Sequence, residues 1–300
     1  MTGGGQLLRF LVCVGGGRQS DETLDFAVRT VKALGGDVTV LYVARPVPHA
    51  VRDAVALSNR KLGEWDTDLP GIAFLRHAYD RLREAGLLRL DATGEPRART
   101  APEAKVGGAF ELHLEGSYGE SVRFRIREGE IAEEIRREAR ANSYDLLIIG
   151  AGQNRRLQHK IAQFVELSTL FVKNVKPVSY RFLVCTGGEP AGVAVVDLTA
   201  RFARAFGAEV TILSVDDLRQ TRAEAERWVA ELARIFAERG VEARPVVRRG
   251  QIVRTIVETA GEDHVVVIGK SHESELRKFL FGSRPIRVIQ RARCPVLHVV

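Results

Sequence analysis

Short apolar runs alternate with amphipathic stretches along the whole chain. Leu11 to Val14, Val38 to Val43, Leu146 to Ile149, Leu183 to Cys185, Val210 to Val215 and Val265 to Ile268 are runs of strand length uninterrupted by charge, the pattern of strands covered on both faces. Between them apolar residues recur at helical spacing. Thr23 to Leu34 places Leu24, Ala27, Val28, Val31 and Leu34 on one side and stops at Gly35-Gly36; Val195 to Phe206 places Val195, Val196, Leu198, Phe202 and Phe206 and stops at Gly207. Further helices are predicted over Thr221 to Arg239 and around Ile286, Val288 and Ile289, where Arg284, Arg287, Arg291 and Arg293 fill remaining positions. Strands alternating with helices imply a parallel sheet with right-handed crossovers and helices on both faces. Ligands of such sheets sit beyond the carboxyl ends of the strands.

The pattern occurs twice. Arg9-Phe-Leu-Val-Cys-Val-Gly-Gly16 returns as Arg181-Phe-Leu-Val-Cys-Thr-Gly-Gly188, a shift of 172, and the same shift carries Asp37 to Val43 onto Glu209 to Val215. Gly129-Glu-Ile131 maps to Gly250-Gln-Ile252 with a shift of 121, and Leu146 to Gly150 maps to Val265 to Gly269 with the closing glycines 119 apart. The fold expected is α/β, with two Rossmann-like lobes, each a doubly wound, five-stranded parallel sheet. The lobes are expected at 1–179 and 180–300. At the join, Lys176-Pro177-Val178 aligns with Cys294-Pro295-Val296, which predicts a fifth strand in the first copy that is cut short or fused with the next strand.

The change of shift from 172 to 121 leaves 51 extra residues in the first copy, between its second and third strands. This insert, about 45–121, reads as a helix over Ala50 to Trp65, a second over Ile72 to Leu88 and an irregular stretch from Asp91 to Gly108. A β-hairpin follows, with Phe110 to Glu115 and Val122 to Ile126 alternating on either side of a turn at Gly116 to Gly119.

Composition narrows the class without naming it. Of 300 residues 45% are hydrophobic and 28% charged, and no apolar run is long enough to cross a bilayer, so a soluble protein with no membrane partner is expected. The N-terminus has no basic segment ahead of an apolar one, which points to the cytoplasm. The net charge of +7 suggests nucleic acid, but the arginines are interleaved with acids as on solvated helices, and no aromatic–basic platform for bases accompanies them. Three scattered cysteines read as reduced core thiols, and seven histidines lack metal-ligand spacing, so no metal is expected. His264 and His298 fall at strand edges as satisfied polar groups, and Glu133 and Glu134 read as solvated charges on a helix face.

The stretch from Val265 to the C-terminus holds the one constellation with ligand chemistry. An apolar strand ends at Gly269, a mixed-charge loop follows, and Gly282-Ser283 opens a basic helix, where free backbone N–H groups favour an anion. The spacing resembles the nucleotide loop of the universal stress protein family, Gly-x2-Gly-x9-Gly-(Ser/Thr). Gly269, Gly282 and Ser283 match, and His272 stands at the second glycine. The resemblance extends over about 10–44, 122–178 and 181–300, and it implies two adenine nucleotide alpha hydrolase-like lobes. It assigns Gly269, Lys270, His272, Gly282 and Ser283, with Thr186 and Gly187 at the end of the second copy's first strand, to an adenine nucleotide, with ATP or another adenine nucleotide as the cofactor.

Two departures weaken that site. The aspartate that nucleotide-binding members carry after the first strand falls on Gly15 and Gly187, and the first copy's loop aligns Phe164 to Ser168 with the Gly-Ser end, which puts Glu166 near the phosphate position. The expectation is therefore a non-catalytic, cytoplasmic stress-response or regulatory protein whose C-terminal lobe binds an adenine nucleotide weakly. The alternative is an interaction scaffold with both pockets vestigial, in which the insert meets a protein partner or covers the first pocket. An ATP hydrolase or adenylyl transferase is the third reading, opposed by Gly15 and Gly187. Terminal-strand pairing inside one chain suggests a pseudo-dimeric monomer, with a homodimer of whole chains as the other assembly.

Overall fold

The computed structural model describes residues 7–15, 18–44, 71–105, 109–152, 154–186, 192–216, 221–269 and 284–300. By packing, the chain divides into two units, one running to Gly150 and including 163–167, the other comprising 151–162 and 168–300.

In the first unit β1 (Leu8–Val14) lies between β2 (Gly36–Ala44) and β6 (Leu146–Gly150), parallel to both, and β2 is parallel to β5 (Ser121–Glu128). These strands are the apolar runs of the sequence, and Phe10, Leu11, Leu41, Leu146 and Leu147 are wholly buried. β1 leads into α1 (Arg18–Leu34), whose buried Leu24, Ala27 and Val31 recur at helical spacing. Helix α2 (Ile72–Glu84) buries Ile72, Leu75, Ala78 and Leu82. It begins at Gly71, whose φ of 105° is left-handed, and a Cβ there would lie 2.3 Å from the Tyr42 ring, so only glycine brings the chain into this helix.

The insert's hairpin forms as expected between β4 (Ala109–Glu115) and β5, which pair antiparallel. The stretch expected to be irregular contains a further strand, β3 (Ala98–Lys105), antiparallel to β4 with register shifts on either side of Thr100. Its sequence, ARTAPEAK, lacks alternation and carries Pro102, which suits an edge strand and hides it from a periodicity reading. The helix expected to reach Leu88 ends at Glu84, and the one expected over Ala50 to Trp65 lies outside the described residues. Strand order in this unit is β6-β1-β2-β5-β4-β3. Helix α3 (Ile131–Ala141) follows β5, and Glu130 accepts a hydrogen bond from the Glu133 N–H as its N-cap.

Helix α4 (Arg155–Phe164) comes after β6, and β7 (Thr169–Val172) follows it. The second unit repeats the plan with β8 (Arg181–Thr186), α5 (Val193–Phe206), β9 (Val210–Asp216), α6 (Arg222–Glu238), β10 (Ala243–Arg249), α7 (Ile252–Ala260), β11 (His264–Gly269), α8 (Arg284–Arg291) and β12 (Val296–Val299). Its order is β10-β9-β8-β11-β12-β7, parallel except for β7, which runs antiparallel to β12 through Val296–Phe171, Leu297–Leu170 and His298–Thr169. α6 opens with a full capping box between Thr221 and Glu224.

β7 corrects the alignment at the join. The first copy's fifth strand is Thr169–Val172, four residues long like β12, and it precedes Pro177 instead of following it. Nor is it fused with β8, which starts at Arg181. Among the described residues no helix is long and apolar enough to cross a membrane.

Candidate functional site

In the second unit the carboxyl ends of β8 and β11 meet. The register pairs Ile268 with Cys185, so Gly269 and Thr186 come next on adjacent strands. Thr186 is buried, and beyond Gly269 the first turn of α5 is close: a Cβ added to Gly269 would come to 3.4 Å from Val195 Cγ2, ordinary contact distance. Of the residues assigned from the sequence, Gly269 and Thr186 are therefore brought together; Lys270, His272, Gly282, Ser283 and Gly187 lie outside the described residues. The helix after the loop is seated as expected, with Ile286, Val288 and Ile289 buried.

The sequence reading missed Lys173, directly after β7. Its ammonium group is buried and donates to the Ile289 carbonyl at 2.6 Å and the Gln290 carbonyl at 3.5 Å, satisfying the last turn of α8, while Asn174 Nδ2 donates to the Arg293 carbonyl at 3.4 Å. Asn174 has a left-handed φ of 47°. Burial pushes the Lys173 pKa below the usual lysine range, with the nearby Cys294 opposing this. A lysine closing an apolar run is the only signal the sequence offered for it.

The first unit's loop differs by length. Four residues separate Gly150 from Arg155, where fourteen separate Gly269 from Arg284, so the first copy lacks the long nucleotide loop altogether. Phe164 to Ser168, aligned from the sequence with the Gly-Ser end, instead closes α4 and leads into β7, so Glu166 does not stand at a phosphate position. Asn154 caps α4 by accepting from the Leu157 N–H at 3.0 Å. At Gly150 an added Cβ would fall 2.8 Å from Thr23 Oγ1, whose hydroxyl is engaged with the Gln19 carbonyl. Gly150→Ala is expected to cost about 1–3 kcal/mol by overpacking, and Gly269→Ala much less, as measured by urea unfolding of the two variants.

A cleft of about 350 Å³ opens at Gly15, beyond the end of β1. Val14, Leu24, Ala73 and Phe74 give it apolar walls, and Ser20, Asp21 and His77 its polar groups. Ser20 Oγ accepts from the Gly15 N–H at 3.0 Å, His77 Nε2 meets Asp21 Oδ1 at 3.1 Å, and one turn further along both helices Arg81 Nε donates to Asp25 at 3.0 Å. Phe74 stacks on Tyr42, with ring centroids 5.2 Å apart.

Other clusters are structural. Glu138, fully buried, accepts from Arg125, from Arg127 Nε at 2.6 Å, from Asn142 Nδ2 at 2.8 Å and from the Tyr144 hydroxyl at 2.7 Å, while Arg125 also reaches Glu111 on β4 at 3.0 Å. Glu134, expected on a solvated face, is buried and paired with Arg137. Ser121 Oγ and His113 Nε2 lie 2.7 Å apart, but Ser121 is buried and Asp37 accepts from its backbone N–H, so this is no exposed nucleophile with an oriented base. His264 is buried with Nδ1 2.8 Å from the Ala260 carbonyl, the satisfied polar role expected of it. Burial raises the Cys13, Cys185 and Cys294 thiols, the last to about 12, which keeps them protonated.

Two copies of one βα plan, each closing its central strands on a glycine, are matched by one sequence family over residues 7–163 and again over 180–299, namely the universal stress protein family. The chain belongs to that family. This tandem universal stress protein matches a universal stress protein from Archaeoglobus fulgidus with 13% identity and a TM-score of 0.64, covering 97% of this chain and 95% of that one. A functionally unknown protein from Pseudomonas aeruginosa PAO1 matches with 16% identity and a TM-score of 0.58, covering 98% and 92%. The cytoplasmic domain of a prokaryotic cation chloride cotransporter matches with 11% identity and a TM-score of 0.54, covering 98% and 95%. At these identities the likeness is one of fold. Comparison with curated proteins gives no match.

Proposed function

We propose that this universal stress protein is a non-catalytic, cytoplasmic stress-response component whose second lobe binds an adenine nucleotide weakly, beyond β8 and β11. The observation that carries the reading is the adjacency of Thr186 and Gly269 at the carboxyl ends of neighbouring strands, with fourteen residues between Gly269 and the start of α8. Backbone N–H groups at the start of such a helix favour phosphate, and Gly282-Ser283 stand immediately before it. The glycine in place of the family's aspartate and His272 in place of a glycine are each expected to lower affinity by about tenfold, which places binding far below that of an intact site. The Ser121–His113 pair, whose Ser121 is buried, offers no support for catalysis.

The antiparallel β7–β12 pair supports an assembly in which the contact between repeats is made within the chain. Calorimetric titration tests the nucleotide reading. ATP is expected to bind the full chain, Ser283→Ala to weaken it by about tenfold, and Gly150→Ala, in the first copy, to leave it unchanged. Unaltered affinity in Ser283→Ala would place the nucleotide elsewhere.

A further inference from the structure

We infer that the cleft at Gly15 is a second ligand site of different chemistry, one that takes a small aromatic amine in its cationic form. Its shape comes from the insert. Ala73, Phe74 and His77, all on α2, close one side; the helix at the corresponding place in the second lobe, α6, carries a different sequence. At about 350 Å³ it has room for a ring compound.

The charge of the cleft sets the ligand class. Asp21 is the one carboxylate among its described lining residues, and it is 60% exposed. His77 Nε2 lies 3.1 Å from its Oδ1 atom, and an imidazole N–H donated there engages one of the carboxylate's two oxygens. The neighbouring Asp25 is compensated by Arg81. A carboxylate at the rim repels phosphate and attracts an ammonium group, and the loop that would hold phosphate is absent from this copy. Phe74, backed by Tyr42, presents an aromatic wall on which a flat ring packs and toward which a cation is drawn. Val14 and Leu24 complete an apolar floor. Apolar walls, one aromatic and one exposed carboxylate together recognise an organic cation.

The test uses two probes with the same ring and opposite charge, tryptamine and indole-3-acetate, titrated into the full chain and followed by calorimetry and by chemical shifts of the residues around Gly15. Tryptamine is expected to bind about tenfold or more tighter than indole-3-acetate. Asp21→Asn is expected to abolish that preference. Ala73→Leu is expected to block both probes by filling the space, and ATP binding in the second lobe is expected to be unaffected by either variant. Equal affinity for the two probes, no tryptamine binding at about 5 mM, or a preference that survives Asp21→Asn would each overturn the assignment. Asp21 and Ala73 are exposed positions, so both variants are expected to fold; if either unfolds, the wild-type comparison of the two probes decides.

Discussion

Replacing Glu138 by alanine is expected to destabilise the first unit by about 3–5 kcal/mol, because it removes the fully buried carboxylate that two partly buried guanidinium groups share. Glu138 is 0% exposed and receives Arg125, Arg127, Asn142 and Tyr144. Equilibrium urea unfolding measures the loss, and Glu133→Ala on the exposed face of the same helix serves as the control, with almost no change expected. The second lobe explains why the network is there. Under the shift of 121, Arg125, Glu134 and Glu138 correspond to Val246, Thr255 and Thr259, and Arg127 to Arg248, so the buried carboxylates belong to the copy that carries the insert. Glu111, on the insert's own strand β4, completes them. The network thus fastens β4, β5 and α3 together where the second lobe has only an edge strand, β10, whose free side bears Arg244, Pro245, Arg248 and Arg249.

Leu75→Ala is expected to cost about 2–5 kcal/mol, comparable to truncation in any domain core, and to loosen the cleft at Gly15 with it. Leu75 is wholly buried in the middle of α2, between Ile72 and Leu82 on the same face. Were the insert an appendage, truncating it would leave the unfolding midpoint near that of the wild type. As part of the core, it must lower the midpoint of the same cooperative transition that Glu138→Ala lowers, and proteolysis at the start of α2 is expected to accelerate in parallel.

The duplicated plan was legible in the sequence because doubly covered strands must be apolar runs, and such runs survive comparison between copies. Leu146 to Gly150 and Val265 to Gly269 are recognisable for that reason, and both end on glycine. What misled was the join. Lys176-Pro177-Val178 shares its Pro-Val with Cys294-Pro295-Val296, a conspicuous pair, whereas Thr169–Val172 shares only a common Leu and Val with β12, and burial is what makes a strand. The error displaced the first copy's loop alignment and placed Glu166 where it does not lie. β3 escaped because an edge strand needs no alternation. Glu134 and Glu138 escaped because a helix wheel treats glutamates as solvated, and only the cross-strand arginines of β5 reveal otherwise.

The candidate site divides along the same line. Gly269 and Thr186 were readable as the ends of two matched strands, and the register makes them neighbours. Lys173 was not, since its partners are main-chain carbonyls far along the chain, and a backbone carbonyl has no letter in a sequence. The cleft at Gly15 was hidden for a related reason: its ring and imidazole come from α2, distant in sequence from β1.

Native mass spectrometry of the full chain with ATP at about 1 mM asks most directly whether one copy alone retains the nucleotide site. One nucleotide per chain, lost in Ser283→Ala, is the expected mass. A chain that carries two nucleotides, or none, would contradict it.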